Sequence, residues 1–276
     1  MPFGRGHGGA YDPSSLTLPI TPARSPRMYP ESDHGLRVAG GEIPGQTHIN
    51  KFGQNPVIDT GTAPEDVWDL GGLYTFSATA VITRLSSSDN GDTEELEIEG
   101  LTLDGTLVTQ TKTLTGQTQA ILDTPLWRVF RMKNLGSTDL AGTVYCYETG
   151  TETIGVPDTL ADVRAVILGA NNQTLMSVYT VPANKAAYLK SLYVSSARST
   201  GGSSVGDMSL RVRESGGVFQ VKHTLTFSVS TGVGGSRDFV TPDMIPAMSD
   251  ILIRVDSVSD NGTIMNAGFS LILVDV

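Results

Sequence analysis

Asp89, Asn90 and Asp92, set around Gly91 in SSSDNGDTEELEIEG, are the residues whose types and spacing come nearest to a binding site. A hard cation takes several oxygen ligands from a tight turn, and this turn could offer them. The EF-hand spacing is not met: Glu95, Glu97 and Glu99 alternate along the following stretch as the solvated face of a strand would. The reading is a solvated turn and edge that needs no metal. Asp256, Asp260 and Asn261 in DSVSDNGT read as a turn between the last two strands. The Gly-rich stretches STGGSSVGD and STGVGGS lack the Lys-Ser/Thr of a phosphate loop and a helix to follow it.

Nucleophilic chemistry fares no better. The one cysteine, Cys146 in GTVYCYETG, alternates with aromatic neighbours like a strand residue and reads as a buried, inert thiol that can form no internal disulfide. A catalytic Cys needs an activating His. Of the four histidines, His7, His34 and His48 lie in the irregular N-terminal region and only His223 sits in a strand-like run. No catalytic residue, cofactor or metal is expected, and the chain is read as not an enzyme.

Charge narrows the partners. The net charge of -10 sits in the middle of the chain: residues 1–50 carry 4 basic and 4 acidic side chains, residues 51–155 carry 6 and 15, and residues 156–276 carry 9 and 10. Binding to nucleic acid needs a positive face, which no segment supplies. No run approaches the ~18 apolar residues of a membrane span, and MPFGRGHGGAYDPSS lacks the apolar core of a secretion signal. The expectation is a protein made in a cytosol, with neither membrane nor nucleic acid as partner.

The elements that must position these residues are strands. YTFSATAVITRLSSS and EELEIEGLTL alternate, and Asp104-Gly105 in LDGTLVTQTKTLTGQT marks a tight hairpin. After the turn residues of TETIGVPDTLADV the pattern restarts with RAVIL, QTLMSVYTV, KAAYLKSLYVSS, DMSLRVRE, GVFQVKHTLTFSV, DILIRVDSV and GFSLILVDV. The only helix candidate, TPDMIPAMSD, is broken by Pro246. The fold class is all-β: two tandem antiparallel β-sandwiches of jelly-roll or Ig-like type, residues 48–155 and 156–276, behind an extended arm at 1–47.

That arm, with prolines at 2, 13, 19, 22, 26, 30 and 44, reads as polyproline-like chain whose Leu16, Leu18, Ile20, Met28 and Tyr29 suit a partner surface. HINKFGQNPVIDTGTAPEDVWDLGG, residues 48–72, fits neither helix nor strand period and reads as a packed connector. The predicted interaction anchors are Leu18, Ile20, Tyr29, Phe52, Ile58 and Trp68, seated on the first sandwich or on a neighbouring subunit.

Four stretches carry a family resemblance: INKFGQNPVIDTGTAPEDVWDLGGLYTF at 49–76, IEGLTLDGTLVTQTKTLTGQT at 98–118, QTLMSVYTVPANKAAYLKSLYVSSAR at 173–198, and GGVFQVKH, DILIRVDSVSDN and GFSLILVDV toward the C-terminus. With their Asn-Lys-Phe-Gly and Val-Trp-Asp elements they resemble a family of virion structural proteins of tailed bacteriophages, frequent in marine and cyanobacterial viruses. The resemblance spans most of residues 49–276 and leaves out the arm. It implies a part of a virus particle, either a head decoration or cement protein or a tail accessory or fibre-attachment (adaptor) component. The major capsid protein or other virion proteins are the implied partners, and the favoured assembly is a homo-oligomer, a trimer first. The rival class, a carbohydrate-binding module or surface-acting glycan hydrolase, requires Trp68 or Trp127 to be exposed.

Overall fold

The structure, a computed structural model, describes residues 34–199, 201–228 and 235–276. One short helix, α1 (His34–Ala39), precedes the strands. Those before the chain's midpoint are β1 (Gln46–Ile58), β2 (Glu65–Asp66), β3 (Ile82–Ser87), β4 (Glu95–Leu101), β5 (Leu107–Thr113), β6 (Ala120–Leu126) and β7 (Arg128–Asn134). Next come β8 (Val144–Glu148), β9 (Glu152–Thr153), β10 (Val156–Pro157), β11 (Val163–Ile167) and β12 (Val178–Thr180). The last are β13 (Lys185–Arg198), β14 (Val205–Arg213), β15 (Gln220–Ser228), β16 (Gly235–Ile245), β17 (Asp250–Val258) and β18 (Thr263–Asp275). All pairings are antiparallel, as the alternating pattern predicts.

Two sandwiches result. In the first, the sheet β11-β8-β3-β6 faces the sheet β5-β4-β7. Leu85, Leu96, Ile98, Met132, Val144 and Cys146 fill the space between them, while Glu95, Glu97 and Glu99 turn outward. In the second, β1-β18-β13-β16 faces β12-β17-β14-β15, with β2 added to β17. Alternate residues of β18, Met265, Ala267, Phe269, Leu271 and Leu273, lie in its core. The Asp104-Gly105 hairpin joins β4 to β5, closed by Leu101 opposite Leu107, and Gly105 has the positive φ of +80° that a tight turn of this kind demands.

The chain divides elsewhere than at 155/156. Gln46–Ile58 pairs with β18 from Gln46 opposite Val274 to Ile58 opposite Thr263, so the stretch expected to open the first sandwich is an edge strand of the second. Its pattern is unreadable as a strand because the inward positions Lys51, Gly53 and Asn55 are polar or small while Phe52 and Val57 face out. Conversely, Val163–Ile167 pairs with β8 and belongs to the first sandwich. The turn residues before it form only the short β9–β10 ladder and a 3-10 turn at Leu160–Asp162. The first sandwich is therefore inserted between β2 and β12 of the second.

Two smaller expectations are also corrected. TPDMIPAMSD supplies the last residues of β16, which stops before Pro246, so it is strand and not helix. Of the extended arm, His34–Ala39 is helical, because Val38 finds a buried seat, and Gln46 and Thr47 are already strand. Residues 1–33, with Leu18, Ile20 and Tyr29, lie outside the described residues.

Candidate functional site

The most concentrated charge chemistry lies where the sandwiches meet. Arg128, at the start of β7, donates from Nε to Asp250 Oδ1 at 2.9 Å and from a terminal nitrogen to Oδ2 at 3.2 Å. Arg213 reaches the same carboxylate at 2.5 Å, and the Thr180 hydroxyl donates to it at 2.6 Å. Both guanidiniums lie over aromatic rings: Arg128 over Trp127 at 3.7 Å and Phe76 at 4.9 Å, Arg213 over Phe76 at 5.0 Å and Phe219 at 4.7 Å. Nearby, Arg164 donates to Glu148 at 2.6 Å, and Ser77 donates to the same oxygen. Each of the three guanidiniums here is paired with a carboxylate, two of them sharing Asp250, so the network ties the two sandwiches together.

A second region follows the edge of β1. Lys51 is 8% exposed and donates from Nζ to Phe130 O at 2.5 Å. Burial pushes its pKa down to about 8, against an upward pull from Glu99 and a further push from Arg131. Beside it lies a cavity of about 160 Å³ lined by Lys51, Phe52, Glu99, Phe130, Arg131 and Tyr179. A larger one, of about 450 Å³, shares the wall made by Ile49, Glu99 and Tyr179 and continues to Leu107, Ala183 and Leu273.

The third region is on the face of the β1-β18-β13-β16 sheet turned away from the core. A groove of about 490 Å³ crosses all four strands, from Gly35 and Ala39 of α1 past His48, Ile272 and Ser191 to Phe239 and Val240. Val240 is fully exposed at its far end and Met244 is half exposed farther along β16.

The predicted anchors separate in this frame. Ile58 is sealed in the core of the second sandwich and Trp68 in that of the first, where its ring stands edge-on to Tyr74 at 5.0 Å. Neither can touch a neighbouring subunit. Phe52 is 38% exposed on β1 and borders the cavity beside Lys51. Trp127 is half-buried under Arg128, so no exposed tryptophan platform exists among the described residues. Sequence reasoning missed Lys51, Arg128 and Asp250. The first two sit at inward positions of strands, and only the alternation of their neighbours could have marked them.

The candidate catalytic and metal residues are accounted for by structure. Asp92 is not solvated: its carboxylate accepts from Ser87 Oγ at 2.5 Å and from the backbone N–H groups of Ala141 and Gly142 at 2.8 and 3.0 Å, stapling two loops. Among the described residues no three His, Cys, Asp or Glu side chains are placed to hold a metal ion. Cys146 is buried, and burial pushes its thiol up to about 12, far from the thiolate that nucleophilic attack needs. His223 pairs with Asp243 at 2.9 Å and stacks on Phe239.

No family profile and no curated protein matches this chain. Among solved structures, the isomalto-dextranase of Arthrobacter globiformis T6 complexed with panose aligns over 82% of this chain at 15% identity and a TM-score of 0.24. The chain spans only 36% of that enzyme's length. The T13 viral particle of IBDV aligns over 83% of this chain and 70% of its own at 11% identity, TM-score 0.24. The VP2 subviral particle of infectious bursal disease virus aligns over 83% and 72% at 10% identity, TM-score 0.22. At TM-scores this low the alignments carry neither fold nor function to this chain. No helix among the described residues is long and apolar enough to cross a membrane.

Proposed function

We propose that this protein is a non-enzymatic structural component of a tailed-bacteriophage particle, a decoration or cement protein held on the head shell through its N-terminal arm. The observation that carries the reading is the open groove beside α1, which crosses every strand of a four-stranded sheet on its outer face. The body behind it is built for rigidity. Arg128, Arg213 and Asp250 clamp the sandwiches together, and its one thiol is buried. The sequence resemblance to phage virion proteins supports the same reading, and the major capsid protein is the partner it implies.

The test is attachment to purified particles. A variant beginning at His34 keeps α1 and every strand of the described residues, so it should fold as the full chain does yet fail to load onto particles lacking the protein. Wild-type loading by that variant refutes attachment through the arm. Imaging of particles that carry a tagged copy gives the location, and density on the tail instead of the head replaces the decoration reading with the tail-component one.

A further inference from the structure

We propose that the outer face of the β1-β18-β13-β16 sheet carries a binding site for an uncharged saccharide, built around Tyr193. Three adjacent strands supply it in register. Phe52 of β1 lies opposite Gly268 of β18, and Gly268 lies opposite Tyr193 of β13; two residues along, Gln54, Asn266 and Ser195 form the next row. These positions face away from the core, because Lys51, Gly53, Ala267 and Val194, which alternate with them, take the buried side. Both rows border a groove of about 300 Å³, at the lower end for small-molecule sites.

Gly268 gives the groove its shape. With no side chain there, the Tyr193 ring crosses β18 toward β1, and its hydroxyl donates to Asn50 Oδ1 at 2.8 Å. A Cβ on Gly268 would sit 2.3 Å from the Tyr193 hydroxyl oxygen and 2.4 Å from Cζ, so the ring occupies the space that a side chain would fill. It is half-buried and turns its remaining surface to the groove, with the exposed Phe52 ring as the opposite wall. Stacking here rests on Tyr193 and needs no tryptophan.

The polar groups select the ligand. No acidic or basic side chain lines the groove, so nothing in it compensates a charge. Gln54 Nε2 donates to Asn266 Oδ1 at 2.9 Å. That leaves Gln54 Oε1 as an acceptor, the Asn266 and Asn50 amides as donors and the Ser195 hydroxyl as either, without a partner among the described residues. Hydroxyls, which both donate and accept, match this mixture. A sugar ring also carries C–H groups whose positive edge suits the negative face of an aromatic ring. An apolar ligand would desolvate the carboxamides without pairing them. The site has no lining residue in common with the groove beside α1, so this binding goes beyond attachment to a particle.

The experiment uses the full chain in solution with no particle present, so its outcome is distinct from that of the attachment test. Maltotetraose, cellotetraose and mannotetraose are titrated by saturation-transfer NMR and calorimetry, with tetragalacturonate as the charged control. At least one neutral tetrasaccharide should bind more tightly than tetragalacturonate. Tyr193→Ala should weaken that binding about tenfold, while Tyr193→Phe, which keeps the ring, should retain most of it. Asn266→Ala should weaken it severalfold at unchanged Tm, which keeps the test decisive if Tyr193→Ala does not fold. Absence of binding by every neutral tetrasaccharide, equal binding of tetragalacturonate, or wild-type affinity in Asn266→Ala or in a folded Tyr193→Ala protein overturns the proposal.

Discussion

Asp69 is 4% exposed; its Oδ2 accepts from Leu175 N–H at 3.2 Å, and its Oδ1 is buried without a partner. Burial is the main influence on it, no charged side chain offsets that burial, and its pKa is pushed up to about 7. An acid whose folded pKa lies above its unfolded value contributes stability that is fully present below the unfolded pKa and is lost as pH rises through the folded one. The loss from this group therefore falls between about pH 4 and pH 7. Asp69→Asn removes the ionisation while keeping the acceptor for Leu175. It should exceed the wild type in stability at pH 8, by about the 1–3 kcal/mol that an unsatisfied buried group costs, and match it near pH 4. Urea midpoints of the two proteins at both pH values measure this, and an offset independent of pH rules out Asp69 as the titrating group.

Strand β1 shows how an element can be dictated by its neighbours. At Gly53 a Cβ would sit 2.5 Å from Ser177 N and 2.7 Å from Val67 O, both backbone, so only glycine lets β1 approach the segments that bridge the sandwiches. Gly53→Ala should therefore cost roughly the 1–3 kcal/mol of an overpacked site, read as a lower Tm at unchanged far-UV circular dichroism. The β3–β4 turn gives the complementary case. Because the Asp92 carboxylate is filled by one hydroxyl and two backbone N–H groups, washing with chelator should leave Tm unmoved. A fall of several degrees would mean that a bound cation stabilises the native state.

For the whole molecule, the nested chain path predicts cooperative unfolding. Phe130 and Leu101 of the inserted sandwich lie in the core of the second, and Leu252 of β17 lies in the core of the first. Each core thus borrows from the other body, and calorimetry should show a single transition. Arg128→Met removes one of the two guanidiniums on the buried Asp250 carboxylate and should cost about 3 kcal/mol, the lower end for breaking a buried pair, since Arg213 and Thr180 remain. Splitting the chain at 155/156 should give two insoluble pieces, one without the β11 partner of β8 and the other without the β1 partner of β18. A soluble, folded 156–276 fragment contradicts the nested arrangement.

The residues alone determined the all-β class, the Asp104-Gly105 hairpin and the buried thiol, because alternation, turn chemistry and the burial preference of Cys act over a few neighbouring positions. Tertiary structure decided the rest. Lys51 and Asn55 are tolerated at inward positions of β1 because Phe130 O, 79 residues away, and Glu65 accept their hydrogen bonds. Arg128 is tolerated because Asp250 meets it across 122 residues. A local pattern reads such positions as loop or surface, for the groups that neutralise them come from distant strands. The same holds for the division of the chain: turn residues at 151–162 signal a break, but only the ladder from Val163 back to Tyr147 shows which sandwich keeps β11.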